Sequence, residues 1–455
     1  MKIIIVGCGK VGYTLAKILA EEKNDVTVID KEQRRVDLAQ NDIDCMGVVG
    51  NGAIQSVLIE AGINESDYVI AVTGSDEINI LTCLIARKTS DCKTIARIRN
   101  PEYVEQLEYI MKELDISLTI NPELATAREI ARITRYSNSI SSDSFFKGRL
   151  NLLKVKIPDN SKIIGLQLAM VQKVLNCNVL ICIIERGDEI IVPSGHSTIE
   201  KGDKIFFVAE HKNVIEFFNA IGYAYKPLNS FMIVGGGRIT RYLIEILTRH
   251  NYAYNIKVIE IDKGKCESLA IDFPKISIVN ADATDKNILK REGMYDVDAF
   301  IALTGIDEEN IILSLFANVV EKTKVITKIN HLNFVDSLKD IHLDSIVNPE
   351  RVAADMIDSY VRATSNLSDS NIETLYTLCN DRVEGLGFRI RSKSAVTDVP
   401  IRELKLKKNV IIAGIYRKGN VIRPNGNDTI KVGDSVVIIT KDNKFNDITD
   451  IISEQ

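Results

Sequence analysis

The feature that most restricts this chain is that it runs one folding programme twice. Gly7-Cys8-Gly9-Lys10-Val11-Gly12 returns as Gly235-Gly236-Gly237-Arg238-Ile239-Thr240, Thr73-Gly74 as Thr304-Gly305, and Asn121-Pro122 as Asn348-Pro349. The offsets stay between 227 and 231 positions. Near-constant spacing over so many landmarks means duplication of a long unit. Asp30 then corresponds to Glu260, Asn51 to Asp282, Asp76 to Asp307 and Asn79 to Asn310. A shorter pattern behind each unit repeats as well: Val192-Pro193-Ser194-Gly195 matches Arg423-Pro424-Asn425-Gly426, and Gly202-Asp203 matches Gly433-Asp434. The order is therefore A-B-A′-B′.

Unit A opens with an apolar strand, Lys2–Val6, running into the glycine-rich hexapeptide and a helix with apolar Val11, Leu15, Ile18 and Leu19. A second strand, Asp25–Ile29, ends on Asp30, followed by Lys31. Gly7 permits a tight turn, Gly9 lets backbone approach a pyrophosphate, and Gly12 lets the helix lie against the strand. The helix N-terminus, beginning at Lys10 and Val11, offers free N–H groups to a phosphate. Asp30 falls 18 residues past Gly12, near where such a unit keeps the acid that holds ribose hydroxyls. Later strands end at Gly50-Asn51-Gly52, at Thr73-Gly74-Ser75-Asp76, and at Arg97 and Arg99, which share one face. Asp76 is expected to cap the helix Ile78–Arg87, and prolines in Asn100-Pro101 and Asn121-Pro122 to open two more.

Strand and helix alternate about six times, which predicts a Rossmann-like, doubly wound parallel sheet. Residues 138–148 are rich in Ser and Asp without a period, and read as a hinge. Behind it follows a small α+β module with strands near 152–157, 179–185, 189–192 and 204–209. The expected units are 1–137, 138–222, 230–366 and 367–455, an α/β fold of two parallel-sheet lobes, each with a small α+β lobe behind it.

Acids and bases are interleaved at a net charge of −5, so no basic face invites nucleic acid. No apolar run approaches the roughly 18 residues of a membrane span, and Met1-Lys2-Ile3 enters a strand directly, so no membrane insertion and no signal peptide are expected. Eight cysteines lack CxxC spacing and lie mostly in apolar segments, as buried free thiols do in a reducing cytoplasm. His196 and His211 have no counterparts in the second copy and read as surface residues. No GxSxG, GxxxxGK[ST] or HExxH is present. A dehydrogenase needs a substrate domain with an acid or base beside the nicotinamide. Here only the small module follows each lobe, so the chain is expected to bind nucleotides without catalysis, as a sensor does.

These motifs in this order (Gly7–Gly12, Asp30, Gly50-Asn51-Gly52, Thr73-Gly74-Ser75-Asp76, Arg97-Ile98-Arg99-Asn100-Pro101 and Asn121-Pro122-Glu123), in a chain built of two tandem copies, resemble the TrkA family. Its members are cytoplasmic regulatory subunits of bacterial and archaeal Trk potassium-uptake systems, built from RCK domains (regulators of potassium conductance). The resemblance spans essentially the whole chain. It implies a homo-oligomeric ring, a dimer of dimers, seated on the inner face of the membrane beneath a potassium-channel-like subunit of the TrkH/TrkG type. It implies NAD(H) and ATP/ADP as ligands. Gly7, Gly9 and Gly12 would face phosphates, Asp30 the adenosine ribose, and Arg97 and Arg99 the polyphosphate, with Lys10, Val11 and Lys31 beside them in the first site. Asn51, Gly52, Thr73, Gly74 and Asp76 complete the first site; Gly235, Gly237, Arg238, Glu260, Asp282 and Thr304 mark the second. Family members commonly carry Asp where Asn51 stands, whereas the second copy keeps Asp282. A regulatory module of another cation carrier, such as a cation–proton antiporter, and an NAD-dependent oxidoreductase are the alternatives.

The copies differ where charge matters. Arg97-Ile98-Arg99 becomes Lys328-Ile329-Asn330, and Gly12 becomes Thr240. Neither Lys328 nor Asn330 reproduces the bidentate guanidinium fork, so the first lobe is expected to carry the ATP/ADP-responsive site.

Overall fold

The computed structural model describes residues 1–453 apart from 105, 137, 147–148, 250–253, 320–322, 331–342, 344, 366–371 and 380–381. The expected boundaries at 137 and 366–367 lie outside the described residues. The first lobe begins with β1 (Lys2–Val6), α1 (Lys10–Glu21), β2 (Asp25–Asp30), α2 (Gln33–Asp42), β3 (Met46–Val49) and α3 (Gln55–Glu60). It continues through β4 (Tyr68–Ala71), α4 (Asp76–Thr89), β5 (Lys93–Arg97), α5 (Pro101–Val104), α6 (Leu107–Glu113), β6 (Leu118–Ile120) and α7 (Pro122–Arg135). The strands are parallel, in the order β3-β2-β1-β4-β5-β6. Ile3, Ile4, Ile5 and Val6 are all buried, as befits a central strand covered by helices on both faces. The order reverses between β1 and β4, so the crevice at their carboxyl ends is where such a sheet takes a ligand.

The first small lobe holds β7 (Ser141–Phe145), β8 (Leu150–Lys156), α8 (Leu168–Leu175), β9 (Leu180–Arg186), β10 (Glu189–Ile191), β11 (Lys204–Ala209) and α9 (His211–Ile221). Its sheet is antiparallel, in the order β10-β9-β11-β8-β7. β7 corrects the hinge expected over 138–148: Ser141–Phe145 pair antiparallel with Leu150–Lys154. It is an edge strand, so its Ser and Asp residues need no apolar alternation, and its neighbour sets its register.

The second half repeats both. β12 (Ser230–Val234), α10 (Arg238–Thr248), β13 (Asn255–Glu260), α11 (Lys263–Asp272), β14 (Ser277–Asn280) and α12 (Lys286–Arg291) come first. β15 (Ala299–Ala302), α13 (Asp307–Ala317), β16 (Lys324–Lys328), β17 (Ser345–Val347) and α14 (Pro349–Ser365) follow. The strand order is again β14-β13-β12-β15-β16-β17, all parallel. β18 (Ile372–Leu378), β19 (Val383–Arg389), β20 (Val410–Arg417), β21 (Asn420–Ile422) and β22 (Ser435–Lys441) form the last, antiparallel sheet, β18-β19-β22-β20-β21. The fold is thus two tandem Rossmann-like parallel-sheet lobes, each followed by an antiparallel-sheet lobe.

The two halves exchange their final parallel-lobe helices. Ala127, Ile130 and Ile133 of α7 sit in the second lobe's core with Phe231, Ile233 and Leu243. Ala353, Ala354, Ile357 and Val361 of α14 sit in the first lobe's core with Ile3, Ile5 and Leu15. Both helices start with the Asn-Pro device: Asn121 Oδ1 accepts from Leu124 N at 2.8 Å, and Asn348 Oδ1 from Arg351 N at 2.7 Å. The small lobes also pack together, Phe145, Leu152 and Phe206 meeting Val383, Val437 and Ile439.

Candidate functional site

The glycine loop is shaped by its packing. Gly7 has φ +99°, and a Cβ on Gly12 would stand 1.9 Å from the Gly7 carbonyl oxygen. A Cβ on Gly9 would meet nothing within 4 Å. Gly9 is therefore not required by the protein's own packing, which suits a backbone that faces a ligand. Asp30 buttresses this loop: its Oδ2 accepts from Cys8 N at 2.7 Å and its Oδ1 from Glu32 N at 3.0 Å. Arg35 reaches it at 3.6 Å. Glu260 repeats the arrangement, accepting from Gly236 N at 2.6 Å and Asp262 N at 2.8 Å.

The β4 loop is held the same way in both copies. Asn79 Oδ1 accepts from Thr73 N at 2.8 Å, and Asn310 Oδ1 from Thr304 N at 2.9 Å. The helix cap differs from expectation: Ser75 Oγ, not Asp76, accepts from Ile78 N. Asp76 lies at the first helical position, and its buried carboxylate accepts from Arg99 N and Asn100 N, each at 2.8 Å. Asp307 likewise accepts from Asn330 N. Asn51 Oδ1 accepts from Ala53 N at 3.2 Å and Asp282 Oδ1 from Thr284 N at 2.8 Å. An amide and a carboxylate thus make the same two-residue turn, so exchanging Asn for Asp leaves this local geometry intact.

A cavity of about 640 Å³ opens on the first glycine loop. Of the expected residues, Gly7, Gly9, Lys10 and Val11, with Asp30, Lys31, Asn51, Gly52, Thr73, Gly74 and Arg97, line it. Gly12 lies beneath the loop; Asp76 is bound to the backbone after β5. Arg99 turns to the Gly74 carbonyl oxygen and to Asp76, outside the lining. In the second lobe Gly235 has φ +100°, Gly237 faces open space, and Arg238 and Asp282 are exposed. Thr240 is accommodated by donating its hydroxyl to the Gly235 carbonyl oxygen at 2.5 Å.

Some lining residues escaped the sequence reading. Arg35 and Glu32 lie within a turn of the acid at Asp30, and Glu123 belongs to the Asn-Pro-Glu cap; both positions carried a signal. Asn330, Pro349 and Glu350 line the first lobe's cavity from the second half, and nothing within one repeat points to them. Arg97 Nη2 donates to the Thr73 carbonyl oxygen at 2.9 Å, while its buried Nε meets no acceptor among the described residues. Burial, with Arg99 and Arg238 nearby, lowers the guanidinium to about 10, so it stays charged at neutral pH. Glu123 Oε2 is likewise buried without a donor. A bound group with phosphate oxygens suits the orphaned guanidinium, and one with hydroxyls suits the carboxylates.

Among the described residues no group of three or more His, Cys, Asp or Glu could hold a metal ion, and no helix is long and apolar enough to cross a membrane. Six of the eight cysteines are buried, and burial beside Asp30 pushes Cys8 up to about 11, away from a reactive thiolate. His196 and His211 are exposed.

Fold and site together define a duplicated dinucleotide-binding-fold protein whose first cavity is lined by both halves of one chain. The TrkA-N domain matches residues 3–122 and 231–349, and the TrkA-C domain residues 152–222 and 386–453. The chain belongs to the TrkA family. It is 30% identical over 450 residues to the Haemophilus influenzae "Trk system potassium uptake protein TrkA", covering 98% of this chain and 96% of that protein. It is 29% identical over 447 residues to the Methanosarcina mazei "Trk system potassium uptake protein TrkA homolog 1", covering 97% of each. Among solved structures, the "GsuK channel bound to NAD" superposes with TM-score 0.63 at 17% identity, over 97% of this chain and 77% of that one. The GsuK RCK domain gives 0.62 at 16% identity, over 97% and 92%.

Proposed function

We propose that this protein is the nucleotide-responsive regulatory subunit of a membrane potassium-uptake system, with no catalytic activity of its own. Family membership supports the potassium-transport role, and the relatives named above carry that description along nearly their whole length. The observation that carries ligand response is the first cavity, whose walls come from Gly9, Asp30 and Arg97 on one side and Asn330 and Glu350 on the other. A ligand gripping both walls favours one relative placement of the halves, which is what a conformational effector requires. NAD(H) or ATP/ADP supplies pyrophosphate oxygens for the loop N–H groups and Arg97, and ribose hydroxyls for Asp30. Gly235, Gly237, Arg238, Glu260 and Thr304 form the corresponding second site, and units 1–137, 138–222, 230–366 and 367–455 are the parts that move. The subunit assembles with copies of itself into a ring beneath a channel-like membrane partner of the TrkH/TrkG type, on the cytoplasmic side.

Calorimetric titration of NADH, ADP and ATP into the full chain tests the binding half of this reading. At least one should bind and raise the melting temperature without being consumed. Asp30→Asn keeps an acceptor for Cys8 N but removes the charge that holds ribose, and should weaken binding about 10- to 100-fold. Absence of heat or stabilisation with all three nucleotides refutes the site. Potassium flux through the reconstituted partner that ignores every nucleotide refutes the gating.

A further inference from the structure

Arg99 sits where the two halves of the chain meet. In each parallel lobe the residue just past the fifth strand is held by the acid that opens the preceding helix. Arg99 N donates to Asp76 Oδ2 at 2.8 Å, and Arg99 Nε to Asp76 Oδ1 at 3.4 Å. Asn330 N likewise donates to Asp307 Oδ2 at 2.9 Å, and Asn330 Nδ2 to Asp307 Oδ1 at 2.7 Å. Arg99 and Asn330 are thus one position in two copies, held in one way. Asn330 lines the cavity of the other lobe, whereas Arg99 lies outside the cavity of its own. That cavity is also lined by both helix caps, Pro122-Glu123 from the first half and Pro349-Glu350 from the second. The repeat therefore carries Arg99 towards the second crevice as it carries Asn330 to the first.

A hydrogen-bonded bridge fixes this placement. Tyr242 lies four residues after Arg238 in α10, the helix that opens from the second glycine loop. Its hydroxyl donates to the Arg99 carbonyl oxygen at 2.9 Å and accepts from Asn121 Nδ2 at 3.0 Å. The Arg99 backbone is thus tied about one helical turn from the N-terminus of α10, the end of a helix that takes an anion. In α1 the matching residue is Thr14, and the Asn330 carbonyl oxygen accepts instead from Asn348 Nδ2 at 3.2 Å, within its own half. The bridge to a glycine-loop helix is particular to Arg99.

We infer that Arg99 is a phosphate-binding residue of the second nucleotide site, supplied to it by the first half of the chain. The inference rests on the reading of the second glycine loop and Glu260 as a nucleotide site, and adds a guanidinium that the second repeat lacks. Lys328 stands there in place of Arg97 and cannot grip a phosphate through a planar fork. The Arg99 guanidinium is engaged by the Gly74 carbonyl oxygen and by Asp76, and its side chain is 17% exposed. A terminal phosphate is a stronger acceptor than a carbonyl oxygen and meets the fork through two parallel N–H groups. A ligand carrying one therefore draws the Arg99 side chain from Gly74, while the backbone N–H of Arg99 stays on Asp76 and its carbonyl on Tyr242. The first crevice receives the neutral Asn330 at this place.

The test is calorimetric titration of ATP into the full chain, with the sites separated by Asp30→Asn, which weakens the first, and Glu260→Gln, which weakens the second. Added to Asp30→Asn, Arg99→Gln should lower the remaining affinity about tenfold, the loss of one charge-assisted hydrogen bond. Added to Glu260→Gln, it should leave the remaining affinity unchanged. The reverse pattern returns Arg99 to the first site and overturns the inference. An affinity that ignores Arg99→Gln in both backgrounds leaves the residue a structural role and overturns it too. Asn330→Arg gives a second reading that a damaged fold cannot imitate. In the Glu260→Gln background the guanidinium it brings to the first cavity should tighten ATP about tenfold, and an unchanged or weaker affinity overturns the exchange of this position between lobes. A wild type that binds one ATP and ignores Glu260→Gln overturns the second site and this inference together, whereas absence of ATP binding from the wild type and every variant refutes nucleotide binding itself.

Discussion

Ile357→Ala separates an exchanged-helix architecture from a pair of self-sufficient halves. Ile357 belongs by sequence to the second half, yet its fully buried side chain is part of the first lobe's core, which also holds Ile3, Ile5 and Leu15. Truncation leaves a cavity among residues that cannot collapse independently, which costs about 2–5 kcal/mol. At about 1.4 kcal/mol per tenfold change, that raises the opening constant of the affected core at least 30-fold. The assay is hydrogen exchange followed by mass spectrometry on peptides covering β1 and β4; the chain has no tryptophan, so circular dichroism reports global unfolding. Exchange at Ile3–Val6 and Tyr68–Ala71 should accelerate by that factor. Nucleotide affinity should fall with it, because α14 begins at Pro349 and Glu350 on the cavity wall. If β12 and β15 alone accelerate while β1 and β4 stay protected, the exchange of helices is wrong.

Gly12→Ala places a Cβ against the Gly7 carbonyl and should cost about 1–3 kcal/mol, whereas Gly12→Thr recovers part of this through the hydroxyl bond that Thr240 makes in the other copy; calorimetric melting that ranks Thr below Ala refutes the comparison. Asp298 resists ionisation through burial, but Lys226 and donors from Asn229 and Ser230 outweigh this and hold it at about 2. Its stabilisation is therefore present above the ordinary carboxyl range and lost as pH falls towards 2. Melting temperatures of Asp298→Asn should converge on those of the wild type across that window, and parallel curves refute the assignment.

Most of the fold was legible because its signals are local. Glycine spacing, the acid after β2, the Asn-Pro caps and the offset between copies each report on a few adjacent residues. β7 was hidden because an edge strand made of Ser and Asp has no apolar period. The cap at α4 was misassigned because Ser75 and Asp76 are both competent cap residues, and only the backbone after β5 shows where the carboxylate is used. The exchanged helices were invisible for a deeper reason. The apolar stripe of α14, with Ala353, Ile357 and Val361, looks the same whichever sheet it covers, so amphipathicity fixes that a helix packs but not on which copy. Asn330 and Glu350 reach the first cavity only through that exchange.

The exchange also changes how the two sites must be compared. Counting charges within each repeat assigns Arg97 and Arg99 to the first site and Lys328 and Asn330 to the second. The geometry mixes them: Arg97 lines the first cavity together with Asn330, while Arg99 turns to Gly74 and Asp76. Cutting the chain between residues 222 and 230 therefore isolates neither site, since it removes a cavity wall and the core residues Ile357 and Val361 at one stroke. The lobes have to be distinguished inside the intact chain. Glu260→Gln keeps an acceptor for Gly236 N, as Asp30→Asn does for Cys8 N, so each variant removes one acidic charge while sparing its loop. If both lobes bind, the wild type should titrate with two nucleotides per chain, and each variant should weaken one binding event by about 10- to 100-fold. Asp30→Asn should impair ATP more than Glu260→Gln does if Arg97 outweighs the neutral Asn330 opposite it. Equal losses would mean that the wall supplied by the second half cancels the advantage of arginine over Lys328, and that charge at these sites is a property of the pair of lobes.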